Sequence, residues 1–166
     1  GLPQTVTMQD ETQKREYLLL LFKNTYLLDI KERYDIKNDD DLEELIDVIA
    51  SSIGGLTNPN KIANTFKSTK KSNISRDTIK LYLDHMQEAF MIEKAVRYDI
   101  KGRKYIDTPA KYYFEDLGLR NARINFRQTE PTHLMENLIY NELRIRGYSV
   151  DVGQLTYYTK NEAGKS

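Results

Sequence analysis

The chain has no cysteine, no tryptophan and only two histidines among its 166 residues. Without thiols there can be no disulfide, iron–sulfur cluster or thiolate zinc site. With His85 and His133 as the sole imidazoles, a histidine-built zinc site is not expected either. Long apolar runs are also missing. Tyr17-Leu18-Leu19-Leu20-Leu21-Phe22 is short and flanked by charge, well below the roughly 20 residues that span a bilayer. The first residues offer neither the basic start nor the small-residue cleavage site of a secretory signal. The expectation is a cytoplasmic protein with no membrane partner. What is present is an apolar fraction of 39% and 12 tyrosines, enough for a packed core and against wholesale disorder.

Net charge is zero, with 25 Lys/Arg balancing 25 Asp/Glu, but the signs are segregated. Residues 1–50 hold 6 basic and 12 acidic side chains, residues 51–130 hold 15 and 9, and residues 131–166 hold 4 of each. A net −6 segment beside a net +6 segment has two readings. One is a localised surface for a polyanion; the other is packing of the acidic and basic parts on each other.

Residues 1–38 read as a connector, Gly1-Leu2-Pro3-Gln4, followed by a long helix from Gln9 to about Tyr34. Tyr17, Leu20, Leu21, Tyr26, Leu27 and Leu28 form its broad apolar stripe. Asn38 or Asp39 caps the next helix, with Leu42, Leu45, Ile46 and Ile49 inward and Gly54-Gly55 as its stop. Its acidic first turn complements the helix dipole, a simpler reading than metal binding. Asn58-Pro59 begins a third helix. Ser75 caps a fourth, whose Ile79, Leu83, Met86 and Phe90 form one stripe. Then come Met91 to Ile100, the turn Lys101-Gly102-Arg103-Lys104, and a β-rich run ending Lys111-Tyr112-Tyr113-Phe114. Helix, helix, short turn, helix, hairpin is the order of a winged helix-turn-helix with a β-hairpin wing over residues 39–116. Residues 117–166 bring a turn and short helix, then a helix from Pro131 to Arg146 with Leu134, Leu138, Ile139 and Leu143 inside. Tyr148 to Val152 and Leu155 to Thr159 alternate like strands. One helix and two strands do not close a core, so this element reads as incomplete and the chain as a fragment. The fold class expected is mainly α (α+β).

Positive charge collects where a winged helix meets DNA. Lys70, Lys71, Arg76 and Lys80 lie on the turn and recognition helix, and Arg97, Lys101, Arg103 and Lys104 lie on the wing. Such residues reach phosphates and base edges. The alternative is a solvated surface on a winged helix used only for protein contacts. Gly164-Lys165-Ser166 is no P-loop, because Thr159 stands where the motif needs its first glycine. Glu136, Glu142 and Asp151 alone have a catalytic flavour, resembling the carboxylates of metal-dependent nucleases. Glu142 lies well around the helix from Glu136, and a capping or salt-bridged role for the glutamates is preferred.

A resemblance joins these parts. Its residues are Tyr17–Phe22 with Tyr26, Asp29-Ile30 and Arg33, then Ser51-Ser52-Ile53-Gly54-Gly55-Leu56, then Asn58–Ala63. It continues through Ser75, Thr78-Ile79, Tyr82-Leu83, Glu88-Ala89-Phe90 and Arg97–Lys104. Lys111–Phe114, Asp116–Asn121, Glu136–Leu143 and Arg146-Gly147-Tyr148 complete it. The ensemble resembles the prokaryotic AAA-type ATPases whose C-terminal region is the domain of unknown function 4143. The resemblance implies an ATPase core, with its ATP and Mg, upstream of Gly1-Leu2-Pro3. It further implies a winged helix in the middle and a restriction-endonuclease-like element that ends before its acidic strand and lysine. The function it implies is a DNA-binding or regulatory region of a parent ATPase, without cofactor or catalysis in this stretch. The partners would be double-stranded DNA, and the ATPase core or a sister subunit.

Overall fold

The computed structural model describes residues 3–37, 39–70, 74–96, 109–127 and 130–152. Among these residues the protein is mainly helical, with one two-stranded antiparallel sheet. A short helix α1, Pro3–Thr7, occupies part of the expected connector. Asp10 then caps α2, Glu11–Leu21, by accepting a hydrogen bond from the Thr12 N–H.

The long helix is not a single α-helix. After Leu21 the chain makes a π-helical turn over Phe22–Leu27, where the Leu28 N–H reaches back five residues to the Lys23 carbonyl. It then resumes as α3, Leu28–Tyr34. The wider turn re-phases the helix, so the inward residues are Leu18, Phe22, Leu27 and Ile30. Leu20 and Leu28, expected in the apolar stripe, are exposed. Asp35 leaves the helix in the left-handed region.

α4, Asp39–Ser51, follows the sequence expectation: Leu42, Leu45, Ile46 and Ile49 are all buried. α5, Pro59–Thr65, has Asn58 as its cap and buries Ile62, with Phe66 just beyond it. A second π-helical turn, Phe66–Lys70, carries the chain toward α6, Arg76–Glu88. Arg123, from α7 (Leu117–Arg123), ties that helix to α4 through Asp47 (2.6 Å) and Glu43 (3.1 Å). One apolar core runs from Leu18 through α4–α6 to Leu119 and Ala122.

Phe90 does not continue the α6 stripe. The helix stops at Glu88, and the Met91 N–H closes back on the Met86 carbonyl. Phe90 takes a left-handed φ of 54° and turns out, 76% exposed, while Met91 fills the inward place. Strands β1, Ile92–Ala95, and β2, Lys111–Phe114, follow; they pair with Ile92 opposite Phe114 and Ala95 opposite Lys111. Period-2 alternation gives the sheet two apolar faces. Ile92, Tyr112 and Phe114 join the main core, while Ala95 and Tyr113 join a second cluster with Tyr140 and Val152.

The outer edge of β2 is closed at both ends. At one end Thr57 and Ala110 exchange N–H···O bonds of 2.9 and 2.8 Å. At the other, the Glu115 N–H turns in to Met91, so by antiparallel alternation Phe114 turns its N–H and C=O outward. Both meet the side-chain amide of Asn137, at 2.9 and 2.8 Å, and the Asn141 amide adds a second donor to the Phe114 carbonyl. Asn137 sits on α8, Pro131–Ile145.

That attachment overturns the expected inner face of α8. Asn137 and Tyr140 are buried, whereas Leu138 and Ile139 point to solvent. The helix is oriented by an amide plugging a strand edge and by the Tyr140 ring 4.4 Å from Tyr113, not by its aliphatic residues. Of the expected strands, Tyr148–Val152 meets the chain just beyond β1, where the Val152 N–H donates to the Val96 carbonyl. Leu155–Thr159 lies outside the described residues.

Candidate functional site

Ser75 caps α6 by accepting from the Thr78 N–H at 3.0 Å. Ile79, Tyr82, Leu83 and Met86 hold the helix on the core. Its outward face therefore presents Arg76, Asp77, Lys80 and Leu81, with Asp84 and Glu88 further along. Arg76 and Lys80 are one turn apart and exposed, as the sequence reading required. The Lys80 ammonium, however, lies 2.9 Å from the Asp84 carboxylate, which raises its pKa by hydrogen bonding and then by charge. An exposed pair of this kind is weak and salt-sensitive, and a phosphate can compete for the lysine. Lys70 ends the second π-helical turn. Lys71, Arg97, Lys101, Arg103 and Lys104 lie outside the described residues.

The far end of α6 is clamped to α3. The Tyr34 ring stacks on His85 at 3.4 Å, nearly parallel, and its hydroxyl donates to Glu88. Burial pushes the His85 imidazole pKa down, against the opposing pull of Glu88 and Asp84. The unfolded chain, with a histidine pKa of about 6.5, therefore takes up the proton first. Stability should be whole above about pH 6.5 and fall as pH drops from there toward the folded value. Urea midpoints measured from pH 7.5 to 5.5 should decline for the wild type and decline less for His85→Phe, which keeps the stacking. Parallel declines would remove His85 as the cause.

A second polar cluster lies under α8. Glu136 accepts hydrogen bonds from Lys111 and Tyr113. Burial works to raise its pKa, but those two donors and the charges of Lys111 and His133 outweigh it and hold the carboxyl low. The Tyr113 hydroxyl is pushed well up, first by burial and then by its bond to Glu136. His133 pairs with Glu130 at 3.0 Å and backs onto Gly54. Glu142 is held by Arg146 at 2.7 Å. Among the described residues no group of three or more His, Asp or Glu is placed to hold a metal ion. The arrangement can fasten a helix to a sheet, with Glu136 of α8 held by Lys111 and Tyr113 of β2.

The remaining surface of note is the outer face of α8. Met135, Leu138, Ile139 and Ile145 are exposed, Ile145 to 80%. Leu138, Ile139, Leu143 and Tyr148 line a shallow groove of about 570 Å³ with Glu142 and Arg146 at its edge. No helix among the described residues is long and apolar enough to cross a membrane.

Sequence reasoning missed the roles of Asn137 and Asn141. Two amides at i and i+4 inside an otherwise apolar pattern were the available signal.

The fold thus defines a mainly helical α+β protein whose helices pack around a small antiparallel sheet. The chain belongs to the family described as a domain of unknown function (DUF8612), which matches residues 1–130. It is 41% identical over 155 residues to an uncharacterized protein of Haemophilus influenzae. It is 28% identical over 148 residues to the uncharacterized protein MJ1544 of Methanocaldococcus jannaschii. These matches cover 93% and 89% of this chain but only 38% and 32% of the relatives, so the chain spans about a third of their length. No solved structure matches.

Proposed function

We propose that residues 39–116 are a winged helix that binds double-stranded DNA, within the C-terminal DNA-binding or regulatory region of an AAA-type ATPase. On this reading ATP and Mg belong to the ATPase core, and this stretch has no catalysis of its own. The observation that carries the reading is the order α4, Thr57 edge bridge, α5, α6, β1, β2, with the first turns of α6 open to solvent. In a winged helix those first turns enter the major groove and the loop joining the two strands grips the backbone beside it. Arg76 and Lys80 then lie over the groove, and the basic residues Lys70, Lys71, Arg97, Lys101, Arg103 and Lys104 are assigned to phosphates. The finer assignment of α8 to a restriction-endonuclease-like element belongs to the same reading; its Glu136 and Glu142 are engaged by cations and receive no catalytic role.

The test is fluorescence anisotropy with a random duplex at several salt concentrations. Binding should collapse as salt rises. Replacing Lys101, Arg103 and Lys104 together by alanine should weaken binding to all sequences and lower the salt slope by up to about 0.9 per residue removed. An unchanged slope would sink the wing assignment.

One observation favours a second reading, a protein-interaction module that docks on the ATPase core or a sister subunit: the bare apolar face of α8. Absence of DNA binding by micromolar protein at low salt would put this reading first.

A further inference from the structure

The outward face of α6 is not the basic strip that a purely phosphate-gripping helix would present. Arg76 and Lys80 are offset along it by Asp77, Asp84 and Glu88, and Lys80 is drawn to Asp84. Counterion release scales with the phosphates neutralised, so a face with this balance gains little from the backbone alone. Between the charged residues stands one large apolar side chain, Leu81, 50% exposed. It sits one turn from Asp77 and from Asp84, on the opposite side of the helix from buried Ile79, Leu83 and Met86. A leucine on a helix face in the major groove offers one readout that none of its charged neighbours can supply, apolar contact with the 5-methyl group of thymine.

We propose that Leu81 is a specificity-determining residue that reads a thymine methyl in the major groove, so that the partner is a thymine-containing duplex bound by sequence. This rests on the winged-helix reading above. Division of labour follows: the wing residues supply affinity common to all duplexes, while Leu81 supplies discrimination. Asp77 sharpens it, because a carboxylate beside the groove penalises misplaced phosphates and can accept from base donors such as the cytosine amino group, whereas Asp84 is engaged by Lys80.

The experiment selects duplexes from a randomised library with the full chain, then compares each selected duplex with its copy carrying uracil for thymine. Uracil lacks only the methyl, so loss of one buried apolar carbon should weaken wild-type binding about fourfold. Leu81→Ala should bind the two duplexes alike, and Leu81→Met should restore the preference. Leu81 is exposed, and alanine and methionine are both good helix formers, so circular dichroism should show folded variants. Equal binding of thymine and uracil duplexes by the wild type would overturn the proposal. So would binding to random duplex without enrichment of any sequence, an outcome that leaves the DNA-binding reading standing. Failure to bind any duplex would overturn both.

Discussion

Replacing Asn137 by alanine should lower the melting temperature by roughly 5–15 °C, the effect of losing about 2–4 kcal/mol in a chain of this size. The side chain is fully buried and its amide satisfies both outward-facing backbone groups of Phe114. Asn141 still donates to the Phe114 carbonyl in the variant, but the Phe114 N–H is left facing a cavity. An unsatisfied buried donor is more costly than the bond itself was worth. Asn137→Asp separates this account from simple packing loss. It is nearly the same size and keeps an acceptor for the N–H, yet sets a second oxygen against the Phe114 carbonyl. It should therefore be destabilised at least as much as the alanine variant at neutral pH. A melting temperature within 1 °C of wild type for Asn137→Ala would show that the amide does not hold the strand edge.

Gly54→Ala should be comparably damaging, for two separable reasons. The residue has φ of 77°, where a side chain costs about 1–2 kcal/mol. The added Cβ would also lie 2.3 Å from His133 Nδ1, an overlap worth about 1–3 kcal/mol more if the helix cannot shift. Thermal or urea unfolding of the single variant should thus show a loss of about 2–5 kcal/mol. In Gly54→Ala/His133→Ala the two ring contacts, at 2.3 and 2.7 Å, disappear and only a 3.0 Å approach to the Cβ of residue 133 is left beside the backbone cost, so the two changes should be strongly non-additive. Additive losses would mean that the turn after α4 and the first turn of α8 are not in contact in solution.

The parts legible in the sequence are those governed by local rules. Asn58-Pro59, Ser75 and Gly54 mark helix ends by capping chemistry, and the inward residues of α4 follow from period alone. Where two rules competed, the reading failed. Leu20 and Leu28 fit an α-helical stripe only if the helix keeps one phase, and the π-helical turn breaks that phase. Phe90 fits the α6 stripe at i+11, but the chain leaves the helix before reaching it. On α8 the aliphatic residues outvote Asn137 in any hydrophobicity count, although two hydrogen bonds to a strand edge decide the orientation. The candidate site was legible only as composition: Arg76 and Lys80 are where the helix pattern put them, while the Asp84 pairing and the exposure of Leu81 depend on the fold.

The π-helical turn at Phe22–Leu27 also bears on how relatives of different length align. From Leu18 the inward positions advance by four, then five, then three residues, to Phe22, Leu27 and Ile30. Deleting one residue inside the turn changes the middle step to four, and the same side chains then face the core from an unbroken α-helix. A one-residue insertion into a straight ancestral helix would leave this trace, absorbed in a single widened turn. Length differences among homologues should accumulate there and be purged from the rest of the helix, where a single lost residue would turn one half's apolar side chains toward water.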